Sequence, residues 1–150
     1  VEDRQRIEYF VGLFDRVRRL ATEGNPLQHT DVSVSMPQLT MLEWVDAHSG
    51  CQLSEMAEGL RVTTPTVSVG VRRLEETGLI ERFSDPGDGR AVRLWLTPKA
   101  QTLVQTARRF RMDKMQKLIT GLSRDEQDTL RDLLDKALSG AETGSGDTKT

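Results

Sequence analysis

The sequence predicts a mainly α fold in which two short helices joined by a tight turn precede a small β-hairpin, with long helices on either side. Three observations predict it. Apolar residues recur at steps of three and four through six separate segments. Two of those segments are short and are linked only by Arg61-Val62 and a capping threonine. One further pair of segments alternates apolar with polar residues around the turn-rich run SDPGDGRA.

The first helix carries Ile7, Phe10, Val11, Phe14, Val17, Leu20 and Ala21 on one face, and Gly24-Asn25-Pro26 ends it. A loose stretch follows to Val34. Ser35 caps the second helix and Gln38 completes a capping box, with Pro37 in the first turn, where its missing N–H does no harm. Leu39, Leu42 and Val45 form its main apolar face, and Gly50 is its expected stop. The third helix spans Leu53 to Leu60, weakened by Gly59 near its end. Thr63 caps the fourth, and Pro65 fits its first turn. Gly78 stops it. Leu79–Phe83 and Val92–Leu96 are the two strands. Thr97-Pro98 opens a fifth helix of about 23 residues by the same cap-then-proline logic. The capping box Ser123–Glu126 opens a sixth, which carries Leu130, Leu133, Leu134 and Leu138. One domain is expected over 1–138, with residues 139–150 as a disordered tail poor in apolar residues.

Composition narrows the function. The chain has 150 residues and a net charge of −2, with 36% hydrophobic and 5% aromatic residues. No apolar run approaches the ~20 residues that span a bilayer, and no signal peptide is visible. The single Cys51 excludes an internal disulfide and fits a reducing cytoplasm. Nucleic-acid contact would have to use local basic patches, since the net charge is acidic. One such patch runs from Lys99 to Lys117, although a run of this kind is ordinarily a solvated helix face. His48 and Cys51 lie three apart, but a metal site needs further ligands and His29 is the only other histidine. No catalytic set or phosphate-binding glycine loop is present, so no enzyme activity and no cofactor are expected.

The fourth helix is the informative one. Its first half is Thr, Ser, Val and Gly, poorer helix formers than its Arg- and Glu-rich second half. Val67, Gly70, Val71 and Leu74 fall at i, i+3, i+4 and i+7 and face the core. The opposite side carries Pro65, Thr66, Ser68, Val69, Arg72 and Arg73. Hydroxyls exchange hydrogen bonds with base edges, a β-branched methyl packs on thymine, and arginines reach phosphate or guanine. Two short helices with a hairpin after them describe a winged helix-turn-helix, whose second short helix lies in the DNA major groove. Helix propensity is given up for a readable surface.

The stretch from Leu53 to Ala100 resembles the core of MarR-type bacterial transcriptional regulators. Its most specific part is Asp88-Gly89-Arg90, five residues, then Leu96-Thr97, which matches the family's D-x-R-x5-L-T wing pattern. The resemblance implies a cytoplasmic homodimer built from the first, fifth and sixth helices, about 1–24 and 98–138, around a winged helix-turn-helix at about 36–97. It implies a recognition helix from Thr64 to Thr77, so that Thr64, Thr66, Ser68, Val69, Arg72 and Arg73 meet DNA. It implies that Arg90 enters the minor groove, oriented by Asp88. A pseudo-palindromic double-stranded operator and a repressor released by a small aromatic or phenolic effector follow from the same likeness. Val69 and Gly89 stand where the family often has arginine, and Ala100 where glycine is common.

Met41, Trp44 and His48 share a face of the second helix away from its main stripe and are the candidate effector-binding residues. Two alternatives stand beside the DNA-binding regulator. One is a winged-helix module that binds protein; the other is an oxidant-responsive regulator using Cys51.

Overall fold

The computed structural model describes residues 2–144. In chain order it comprises α1 (Glu2–Thr22), a 3-10 turn at Pro26–His29, α2 (Met36–Ala47), α3 (Leu53–Leu60), α4 (Thr64–Glu76), β1 (Ile80–Ser84), β2 (Val92–Leu96), α5 (Pro98–Ile119) and α6 (Arg124–Gly144). The mainly α architecture with one hairpin is the predicted one. Two compact units divide within α5, one ending at Arg111 and the other beginning at Met112.

Local chemistry accounts for the helix starts. The Ser35 hydroxyl accepts from the Gln38 N–H at 3.4 Å, and the Gln38 side chain accepts from the Ser35 N–H at 2.9 Å. The same reciprocal pair joins Ser123 and Glu126 at the start of α6. Thr63 caps α4 by accepting from the Thr66 N–H. Gly78, with φ +72, closes α4 in a conformation that a side chain would disfavour.

The core of the first unit lies between α2, α3, α4, the hairpin and the start of α5. Leu42, Val45, Met56, Val67, Val71, Leu74, Leu79, Leu94 and Val104 are fully buried there. Each such aliphatic side chain contributes on the order of 1.5–3 kcal/mol by leaving water. The hairpin is antiparallel, with Ile80 opposite Leu96 and Ser84 opposite Val92. Period-2 alternation turns Leu94 and Leu96 inward and leaves Trp95 exposed. An isolated bridge between Cys51 and Leu94 adds a fragment of a third strand, which sequence periodicity does not register.

Two expectations are corrected. Residues 139–144, expected in the tail, are helical, because extending a formed helix gains one hydrogen bond per residue ordered. The Thr143 hydroxyl adds bonds to the carbonyls of Ser139 and Gly140. Residues 145–150 lie outside the described residues. The loose stretch after α1 contains the 3-10 turn, opened by the Asn25 side chain accepting from the Leu27 N–H at 3.0 Å.

No residue of α1 is buried; Ile7, Tyr9, Phe10, Val11 and Phe14 are each more than half exposed. In the second unit Met112, Met115, Leu133 and Leu138 are likewise exposed. Among the described residues no helix is long and apolar enough to cross a membrane.

Candidate nucleic-acid interface

α4 divides as its periodicity predicts. Val67, Val71 and Leu74 are buried, and Gly70 sits against Met41. Outward stand Thr64, Thr66, Arg72 and Arg73, all exposed, with Val69 at 51% exposure. Ser68 is half-buried at the flank of that face. The Thr63 and Thr66 hydroxyls lie 2.8 Å apart, so one proton is shared inside the first turn. If Thr66 donates it, Thr66 presents an acceptor outward, which suits an exocyclic amine of adenine or cytosine.

The wing is fastened at its base. The Arg93 guanidinium donates to Asp85 at 2.8 Å and to the Gly50 carbonyl at 3.1 Å. Asp85 also accepts from the Gly87 N–H, and these contacts, the Gly87 bond first, hold its carboxyl below the usual carboxylate range. At the tip, Asp88 accepts from the backbone N–H of Arg90 at 3.0 Å. Asp88 therefore shapes the turn from which Arg90 projects; the ion pairs among the described residues do not join its carboxylate to the Arg90 guanidinium. At the other end of the D-x-R-x5-L-T pattern, Leu96 is buried. The buried Thr97 hydroxyl donates to the Gly78 carbonyl at 2.8 Å and accepts from the Ala100 N–H, tying the wing, the end of α4 and the start of α5 together.

Ion pairing sorts the arginines into two groups. Arg82 pairs with Glu75, Arg93 with Asp85, Arg108 with Asp46 and Arg111 with Glu43. The basic run of α5 is thus partly neutralised by α2, at Arg108 and Arg111. Arg61, Arg72, Arg73 and Arg90 are exposed and enter none of the ion pairs found among the described residues.

The three candidate effector residues separate. Met41 is a core residue at 6% exposure, its sulfur 2.5 Å from where a Cβ on Gly70 would stand. α2 is apolar on more than one face, and periodicity alone cannot say which face packs. Trp44 and His48 come together as a stacked pair, ring centroids 4.0 Å apart and planes 18° from parallel. They line an open cleft of about 320 Å³ with Cys51, Glu55 and Arg93. Among the described residues the Trp44 indole N–H is buried without a formed hydrogen bond, although it acts on the Cys51 thiol.

Cys51 lies buried beside this cleft at 5% exposure. Burial pushes its thiol up, reinforced by the Glu55 carboxylate; the backbone, Arg93 and Trp44 pull down without offsetting it. A buried, protonated thiol is a poor nucleophile, so the geometry opposes oxidant sensing.

Comparison with known proteins agrees with this geometry. The MarR family pattern matches residues 34–92. The uncharacterized HTH-type transcriptional regulator YxaD of Bacillus subtilis is 27% identical over 96 residues, 64% of this chain and 67% of its own length. The crystal structure of Streptococcus pneumoniae FabT in complex with DNA superposes with a TM-score of 0.78 at 28% identity, covering 93% of this chain and 97% of that one. S. aureus MepR bound to ethidium bromide superposes with a TM-score of 0.68 at 26% identity, covering 89% and 94%.

Proposed function

From the membership of this chain in the MarR family of DNA-binding transcriptional regulators, we infer that it acts as a homodimeric repressor released from its operator by a small planar ligand. One observation carries the reading: the outer face of α4 presents Thr66, Val69, Arg72 and Arg73 above a fully buried Val67-Val71-Leu74 stripe. That face offers base-edge and phosphate contacts from one rigid helix. Arg90, projecting from the wing, adds a cation for a narrow minor groove.

Dimerisation is supported by the exposed apolar residues of α1 and of the second unit. A monomer rarely leaves so many large side chains in water. A two-fold dimer presents two copies of α4 and so calls for a pseudo-palindromic site. Release is supported by the Trp44–His48 stack beside an open cleft, a surface suited to an aromatic ring. Of the solved relatives, MepR is one bound to a planar cation, ethidium.

The test is retention of the purified protein on the DNA upstream of its own gene against a scrambled duplex of the same length, with sedimentation at micromolar concentration alongside. Preferential retention by a dimer is expected. Equal retention on both duplexes removes sequence-specific regulation, and a stable monomer removes the two-fold operator. Failure to bind either duplex leaves the winged-helix module for a protein partner as the reading.

A further inference from the structure

Arg61 stands out from the rest of the backbone. It has φ 55 and ψ 41, and among the described residues it is the non-glycine residue with positive φ. The left-handed region crowds a Cβ against the following carbonyl; glycine occupies it freely and asparagine at lower cost. The turn does not need an arginine. Its closing bonds run through the backbone: the Arg61 N–H to the carbonyls of Ala57 and Glu58, and the Val62 N–H to that of Ala57 at 3.0 Å. Nor does the side chain repay the strain locally. Glu58 is three residues back and exposed, yet the ion pairs of the described residues do not join it to Arg61.

The position of this turn is informative. Arg61 ends α3 and stands two residues before Thr63, the cap of α4. In a helix-turn-helix the first helix crosses the phosphate backbone while the start of the second enters the major groove. The turn between them therefore passes the lip of the groove, where phosphates are the nearest ligands and a long, always-charged guanidinium can reach them. We propose that Arg61 is a DNA phosphate contact, kept in a strained conformation because that contact outweighs the strain. The inference rests on the DNA-binding reading above, and it explains a cation that enters no ion pair among the described residues.

Four variants separate backbone strain from charge. Arg61→Gly and Arg61→Asn remove both, Arg61→Ala removes charge and keeps the strain, and Arg61→Lys keeps both. Thermal melting is read beside anisotropy binding over a salt series. The probes are duplexes of about 30 base pairs, roughly three helical turns: the DNA upstream of the protein's own gene and a scrambled control. Arg61→Gly is expected to melt about 2–4 °C higher. It should bind both duplexes about five- to tenfold more weakly at ~0.15 M salt, with a salt slope shallower by about 0.9 per protomer and an unchanged ratio between duplexes. Arg61→Ala should lose the same affinity without the melting gain, and Arg61→Lys should stay close to the parent in both readouts. If the parent binds and Arg61→Gly binds equally well with an equal slope, Arg61 does not touch phosphate. A loss confined to the upstream duplex would make it a base contact and overturn the proposal. If the parent binds neither duplex, the DNA-binding reading itself falls, a result distinct from the other two.

Discussion

Replacing Gly59 by alanine should destabilise the protein, against the expectation from helix propensity. Gly59 lies inside α3, where alanine is favoured over glycine by about 1 kcal/mol. A Cβ at this position, however, would overlap the six-membered ring of Trp44, well inside the 3.0 Å that real Cβ atoms keep from their neighbours. Trp44 cannot step aside cheaply, because its ring also stacks on His48 at 4.0 Å. Overpacking of this kind costs about 1–3 kcal/mol. Set against the gain of about 1 kcal/mol, the net loss is up to about 2 kcal/mol, a fall in Tm of up to about 4–8 °C for a chain of this size. In a Trp44→Ala background the obstacle is gone, and the same Gly59→Ala change should stabilise by about 1 kcal/mol. Melting the four proteins of this double-mutant cycle reads the sign reversal directly. If Gly59→Ala raises Tm in both backgrounds by the same amount, the Trp44 ring does not lie against α3, and the cleft beside it is misdrawn.

Val69→Ala should leave Tm nearly unchanged, since the side chain is 51% exposed, and should relax preference at one base step by roughly 1 kcal/mol; a large fall in Tm with preference intact would mean that Val69 packs instead of reading. Arg90→Ala should weaken binding on A·T-rich and G·C-rich flanks alike, with the narrow-groove preference partly lost and the salt slope down by about one unit per protomer; an unchanged slope would take Arg90 off the phosphates. Native Cys51 should alkylate slowly at neutral pH, because burial first and Glu55 second hold its thiol above the ordinary range; unfolding should release it, and fast native labelling would reopen the oxidant-responsive alternative. Asp85 contributes to stability above the ordinary carboxylate range, and as pH falls through its depressed native value the bonds to Gly87 and Arg93 are lost. Asp85→Asn should therefore flatten the acid limb of the stability profile, and an unaltered limb would separate that limb from the wing base.

Much of this architecture is written in local chemistry and is legible for that reason. The capping boxes at Ser35 and Ser123 and the proline-marked starts of α4 and α5 need nothing beyond neighbouring residues. The two faces of α4 follow from a 3.6-residue period with a clean contrast between valine-leucine and threonine-arginine. The D-x-R-x5-L-T pattern is equally local at its ends: Asp88 makes a turn bond, and Thr97 caps α5. What escaped depends on partners distant in sequence. Met41 looked peripheral because its place is set by Gly70, on another helix. Gly59 read as a weakness because the ring that requires it belongs to α2. Cys51 hid its bridge to Leu94 across more than forty residues of chain. The strain at Arg61 carried no compositional signal, since arginine is not a residue that marks a left-handed turn.

The pairing of the α5 arginines with the acids of α2 has a kinetic consequence. A chain of net charge −2 is, averaged over orientations, pushed away from a polyanion. Arg108 and Arg111 are compensated by Asp46 and Glu43, whereas the arginines of the turn, α4 and the wing tip are not. Near that face an approaching duplex therefore meets cations without an acidic partner among the described residues, and orientations that present them are favoured at short range. Collisions are sorted by orientation before any base is touched, which raises the productive fraction of encounters at low ionic strength and lets added salt slow capture. For the DNA-binding function proposed above, such a charge distribution is expected to limit non-specific coating of DNA, which a uniformly basic binder would not.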